Sequence, residues 1–178
     1  MLRSHALFIL VGSVLVSASA TRGDDAEDKA IAFVESLKGK IKRDNNRPGK
    51  PVVRVSLYHN KQVTDADLKE LAAFKDLSSL DLAHTKITDE GIKHLAALKN
   101  LAILDLHDTK ITDAGLKDLA ALKSLTDLDL EETKITDTGI KVLAALKNLE
   151  QLDLGETKVT DAGVKELEKA LPKCTITR

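Results

Sequence analysis

Residues Leu77–Asn100 read LSSLDLAHTKITDEGIKHLAALKN, and the same pattern returns at Leu101–Ser124, Leu125–Asn148 and Leu149–Pro172, always after 24 residues. Each copy carries L-x-x-L-D-L, then T-K-[IV]-T-D, then a Gly followed by an aliphatic residue, Lys and Leu. A unit this short cannot cover its own apolar layer. The copies must therefore stack, each covering the next, and pair their strands into one sheet. In each unit the strand leucines point inward, as Leu77, Leu80 and Leu82 do, and Ile87 follows them. Thr88 and Asp89 then open a helix, supplying capping oxygens and a negative charge at its positive end. Ile92, Leu95 and Ala96 are expected on its inner face. The architecture is an α/β solenoid, with a curved parallel sheet on the concave side and helices on the convex side.

The core is aliphatic by necessity, because aromatics make up 2% of the chain and Trp is absent. A formal net charge of −1 gives no bulk attraction to nucleic acid. The single cysteine, Cys174, excludes an internal disulfide and Cys-rich metal frameworks.

Residues 1–20 are foreign to the rest. Arg3 and His5 precede the apolar run Ala6–Val16, and Ala18-Ser19-Ala20 has the form of a cleavage site. The segment is expected to be a secretory signal peptide, giving an exported chain (periplasm, cell envelope or secreted) with no membrane insertion after cleavage. Residues 21–51 read as a capping helix, Ala26–Lys38, closed by Gly39, and a strand, Lys40–Arg43. Residues 52–172 hold five repeats. The first is degenerate and needs one extra residue after its strand, which puts Asn60 at the corner filled by Thr85, Thr109, Thr133 and Thr157. Residues 173–178 read as a polar edge strand. Gly91, Gly115, Gly139 and Gly163 fall in the first helical turn, where the first repeat has Asp67. This placement points to close approach of the preceding repeat, relaxed at the end of the stack.

With these motifs in place, Val52–Arg178 resembles leucine-rich-repeat proteins of the short exported bacterial type. Its I-T-D-x-G-L-x-x-L segment is similar to the subtype found beside F-box domains, although that subtype's cysteine is a threonine here. The resemblance implies binding of proteins or other macromolecules and carries no shared catalytic residue.

Residues that alternate with the core leucines face the concave surface. One column runs Ser56, Asp81, Asp105, Asp129, Asp153, with Asp127 and Glu131 beside it. Arg54, Tyr58, His59, His84 and His107 occupy the other half. The aspartate ladder is open to three readings: a solvated repeat residue balanced by Lys86, Lys110, Lys134 and Lys158; a site for a cation or cationic partner; or a carboxylate hydrolase, which needs a pocket to set two pKa values apart. No metal site is expected, since histidines in a sheet column splay along a line, and no cofactor motif is present. The leading expectation is a non-catalytic module whose concave face binds a protein, peptide or polysaccharide. The alternative is a self-associating structural protein of the cell envelope.

Overall fold

The computed structural model describes residues 22–178, so the expected signal peptide lies outside the described residues. Seven strands form one sheet in chain order: β1 (Lys40–Arg43), β2 (Val52–Ser56), β3 (Ser79–Asp81), β4 (Ile103–Asp105), β5 (Asp127–Asp129), β6 (Gln151–Asp153) and β7 (Thr175–Thr177). All pairings are parallel except β1 with β2. The convex side carries α2 (Asp89–Leu95), α3 (Asp113–Leu119), α4 (Asp137–Ile140) and α5 (Asp161–Ala170), after the N-terminal helix α1 (Arg22–Ser36). In the first repeat the helix is a 3₁₀ turn over Asp65–Ala73, and α4 tightens into 3₁₀ over Lys141–Ala145.

Between sheet and helices lies one aliphatic core. Leu80, Leu104, Leu128 and Leu152 stand in register on successive strands and are almost fully buried. On the helix side the buried set of the second repeat is Ile92, Leu95 and Leu98, while the expected Ala96 lies at the margin. The chain turns after α2, so Leu98 reaches the core that a longer helix would have offered to Ala96. Thr85, Thr109 and Thr133 are also buried. Each donates its hydroxyl to the carbonyl three residues earlier (Leu82, Leu106 and Leu130), so no polar atom is stranded there.

β2 and β3 pair with Val55 opposite Leu80, a 25-residue offset, whereas Leu80 and Leu104 are 24 apart. The extra residue is absorbed after Asn60, where Val63 resumes the buried position of Ile87. Asn60 sits at the threonine corner but bonds elsewhere, donating to the Leu37 carbonyl of the N-terminal segment at 2.6 Å. It thereby ties the cap to the first repeat.

The helix-start glycines have a specific cause. A Cβ on Gly115 would lie 2.5 Å from Asp89 Oδ1, and one on Gly91 would lie 2.6 Å from Asp65 Oδ1. That carboxylate is held in place: Asp89 accepts from the Thr112 backbone N–H at 2.8 Å and from its hydroxyl at 2.6 Å. Asp65 does the same for Thr88, Asp113 for Thr136 and Asp137 for Thr160. These bonds to Thr160 hold the Asp137 carboxyl below its ordinary pKa. The glycine thus makes room for a carboxylate that caps the next helix. The first repeat has no such acceptor before it, and there Asp67 stands at the glycine position. Its own side chain accepts from the Thr64 N–H and hydroxyl, both at 2.8 Å. The equivalent carboxylate of the fifth repeat, Asp161, is met by the Arg178 guanidinium, which also donates to the Val159 carbonyl.

The cap departs from expectation at two points. Its helix runs from Arg22 to Ser36 and not from Ala26 to Lys38, and Gly39 does not take the left-handed conformation; Lys38 does, at φ 57°. Gly39 is required for proximity instead, since a Cβ there would lie 2.7 Å from both Leu57 and Val34 side chains.

Candidate functional site

Strand alternation places Arg54, Ser79, Ile103, Asp127, Gln151 and Thr175 in one concave column, and Ser56, Asp81, Asp105, Asp129, Asp153 and Thr177 in the next. Arg54, Ile103 and Gln151 are exposed, but Ser79 is only 8% exposed. Its register neighbours are the larger Arg54 and Ile103, which stand over the short hydroxyl.

The aspartates do more than face solvent. Asp81, Asp105, Asp129 and Asp153 each accept, through Oδ1, the backbone N–H two residues on, at 2.8–3.1 Å. They close the turn that ends each strand, as Asx turns do. Ser56 serves the first repeat and also donates to Asp81 at 2.8 Å. The expected balancing partners are not engaged: among the described residues no ion pair joins the ladder to Lys86, Lys110, Lys134 or Lys158. Burial pushes the Asp105 carboxyl above its ordinary pKa, with Asp81 adding to the effect. Asp129 is raised likewise, by burial and then by Asp105 and Asp153 on the adjoining strands.

After each strand the chain passes through a left-handed residue: His59, His84, Asp108, Glu132 and Glu156, with φ between 53° and 57° except Asp108 at 46°. The left-handed backbone at these positions was not foreseen. Along this column His84 Nδ1 lies 2.9 Å from Asp108 Oδ2. That contact holds Asp108 below the usual carboxylate range. One column inward, His107 Nδ1 lies 2.9 Å from Glu131 Oε2. The histidine half and the acidic half are therefore joined at their boundary.

Four rings gather at this boundary, with Tyr58, His59 and His84 in a triangle and His107 beyond His84. Tyr58 and His84 have centroids 5.4 Å apart, His59 and His84 5.5 Å, and His84 and His107 4.6 Å. As expected, the imidazoles do not converge on a point. The structure does gather a mixed group that the reading by columns overlooked: His107, Asp129 and Glu131, with one potential ligand atom from each lying within 4.8 Å of the others. The signal was in the register, because a one-period step places residue 107 beside residue 131. A shallow groove of about 300 Å³ opens alongside, lined by Ile103, Asp105, Asp127, Asp129, Gln151 and Asp153.

The geometry defines a leucine-rich-repeat solenoid. Residues 75–135 match one leucine-rich-repeat family model and residues 145–167 a second. A leucine-rich-repeat protein of Leptospira interrogans is 31% identical over 62% of the chain, with a TM-score of 0.52. The chain spans 27% of that protein's length. A plant ice-binding protein superposes over 76% of this chain and 49% of its own, with a TM-score of 0.55 at 16% identity, a likeness of fold alone. An internalin of Listeria monocytogenes matches over 61% of this chain and 36% of its own, at 25% identity and a TM-score of 0.44. No curated protein sequence matches the chain. The family-model matches and the Leptospira protein support a leucine-rich-repeat protein, a class that generally serves as a non-catalytic scaffold for protein interaction. Among the described residues no helix is long and apolar enough to cross a membrane.

Proposed function

We propose that this chain is a non-catalytic, extracytoplasmic interaction module that binds a protein or peptide segment through its concave face. One observation carries the reading. Among the described residues the large apolar side chains left exposed are Tyr58, at 59%, and Ile103, at 40%; Ile103 stands in the concave column and Tyr58 follows β2, beside His59 and His84. Elsewhere the repeat holds its aliphatic residues in the core, so these two are departures from its pattern. An exposed tyrosine ring beside imidazoles, bordered by carboxylates, is the composition of a binding anchor with a polar rim. The extracytoplasmic placement rests on the signal-like character of residues 1–20.

Site-specific photocrosslinking tests the binding surface. A benzophenone side chain at position 58 or 103 should capture the same partner, and one at the convex Lys117 should not. Equal capture from Lys117, or loss of neither product when Asp105 and Asp129 are replaced by Lys, would refute a concave-face site. N-terminal sequencing of the native protein tests export separately, with Thr21 the expected first residue.

A further inference from the structure

We propose that His107, Asp129 and Glu131 form a binding site for a divalent transition-metal cation at the centre of the concave face. The site does not depend on the partner proposed above.

The first argument is spacing. His107 Nδ1 and Glu131 Oε2 stand 2.9 Å apart. Two donors each about 2.1 Å from one tetrahedral ion stand about 3.4 Å apart. The present contact is a hydrogen bond, which an ion would replace by parting the two atoms by about 0.5 Å. Asp129 supplies the third group. Its Oδ1 accepts from the Glu131 N–H at 2.9 Å, which fixes the carboxylate from behind and leaves Oδ2 for an ion. The ligand atoms all fall within 4.8 Å of one another, and an ion would draw them closer. The open concave side leaves further positions for water or for a partner's group.

The second argument is charge. Asp105, Asp153 and Glu132 border the three residues, and among the described residues His107 alone forms an ion pair within the group, with Glu131 and, at 3.8 Å, Glu132. Asp129 stands in register between Asp105 and Asp153 on the adjoining strands, so a cation there would meet three stacked carboxylates.

The third argument is that the repeat framework does not generate the group. The corresponding positions on the other strand pairs are Tyr58, Asp81 and Ala83; Ala83, Asp105 and His107; and Glu131, Asp153 and Gly155. Only the β4–β5 pair presents three ligands, through substitutions at variable positions. One imidazole nitrogen with two carboxylates suits zinc, cobalt or nickel better than calcium or magnesium, which favour oxygen alone.

The test is isothermal titration of residues 21–178 with Zn²⁺, with Co²⁺ absorption as a report of ligand geometry and Ca²⁺ as the oxygen-only control. One Zn²⁺ per chain is expected, with Ca²⁺ much weaker. His107→Ala and Glu131→Gln should each weaken Zn²⁺ binding at least about tenfold, with circular dichroism unchanged. His94→Ala, which removes an exposed imidazole on the convex side, should leave the affinity as it was. Ca²⁺ binding as tightly as Zn²⁺, or affinity unchanged in both His107→Ala and Glu131→Gln, would overturn the site and leave only a diffuse acidic surface. A loss in His94→Ala would equally overturn it.

Discussion

Replacing Gly115 with alanine isolates the link between repeats. An ordinary helical Gly→Ala change stabilises by about 1 kcal/mol through backbone entropy. Here the new Cβ would stand 2.5 Å from Asp89 Oδ1, and the carboxylate cannot retreat without releasing the Thr112 N–H and hydroxyl. Hydrogen bonds to a charged group contribute about 1.5–3 kcal/mol each when well shielded, and less here because Asp89 is half-exposed. Losing most of two such bonds costs about 2–3 kcal/mol, so Gly115→Ala should destabilise by about 1–2 kcal/mol net. Asp89→Ala alone should cost about 2–3 kcal/mol. With that carboxylate gone, the next atom facing the added Cβ is Asp89 Cα at 3.4 Å, an ordinary contact. The double variant should therefore be no less stable than Asp89→Ala, and up to about 1 kcal/mol more stable. Urea unfolding followed by circular dichroism measures the cycle, provided the m-values agree. Gly115→Ala stabilising the wild type, or the two costs simply adding, would refute the reasoning. Gly115→Asp placed on Asp89→Ala should recover part of the loss, as Asp67 does for Thr64.

Further outcomes follow from local geometry. Lys38→Gly should stabilise by about 0.5–1 kcal/mol by relieving the left-handed conformation, whereas Gly39→Ala should destabilise; thermal melts read both. Leu104→Ala, deep in the sheet-side core, should cost about 2–5 kcal/mol in the same assay. Asp129→Asn keeps an acceptor for the Glu131 N–H and removes a half-buried charge. It should stabilise at neutral pH by less than about 1 kcal/mol, since such charges remain screened by solvent. A carboxyl with a raised folded-state pKa destabilises while ionised, so this gain should shrink as pH falls through the raised pKa and vanish once Asp129 is protonated in both states. Asp108 and Asp137 have the opposite sign. Their contributions are present above the unfolded-state pKa and are lost in stronger acid, as pH falls through their lowered values. Melts of the wild type and Asp129→Asn across pH 3–7 (an assay range of roughly the carboxylate span) would contradict this if the two curves stayed parallel.

The period determined most of the fold without any coordinates. A short unit with leucines alternating on a strand and aliphatics spaced along a helix can satisfy both faces only by stacking its copies. That constraint sets sheet direction, layer order and the inward set of Leu80, Leu104, Leu128 and Leu152 from local pattern alone. Asp67 in place of glycine signalled the first repeat of the stack, and the close approach it implied was legible for the same reason. What occupied the space was not, because the Asp65, Asp89, Asp113 and Asp137 carboxylates act on the following repeat, and a helix-start aspartate reads in sequence only as a dipole partner of its own helix. The concave aspartates were likewise legible as a column but not as turn-closing acceptors. Lys38 rather than Gly39 took the left-handed turn because the packing of Leu57 and Val34 decided which position needed the missing Cβ. The pairing of His84 with Asp108 and of His107 with Glu131 also belonged to the tertiary structure. Residues one period apart become neighbours only when strands pair in register, and no local pattern in one repeat announces its partner in the next.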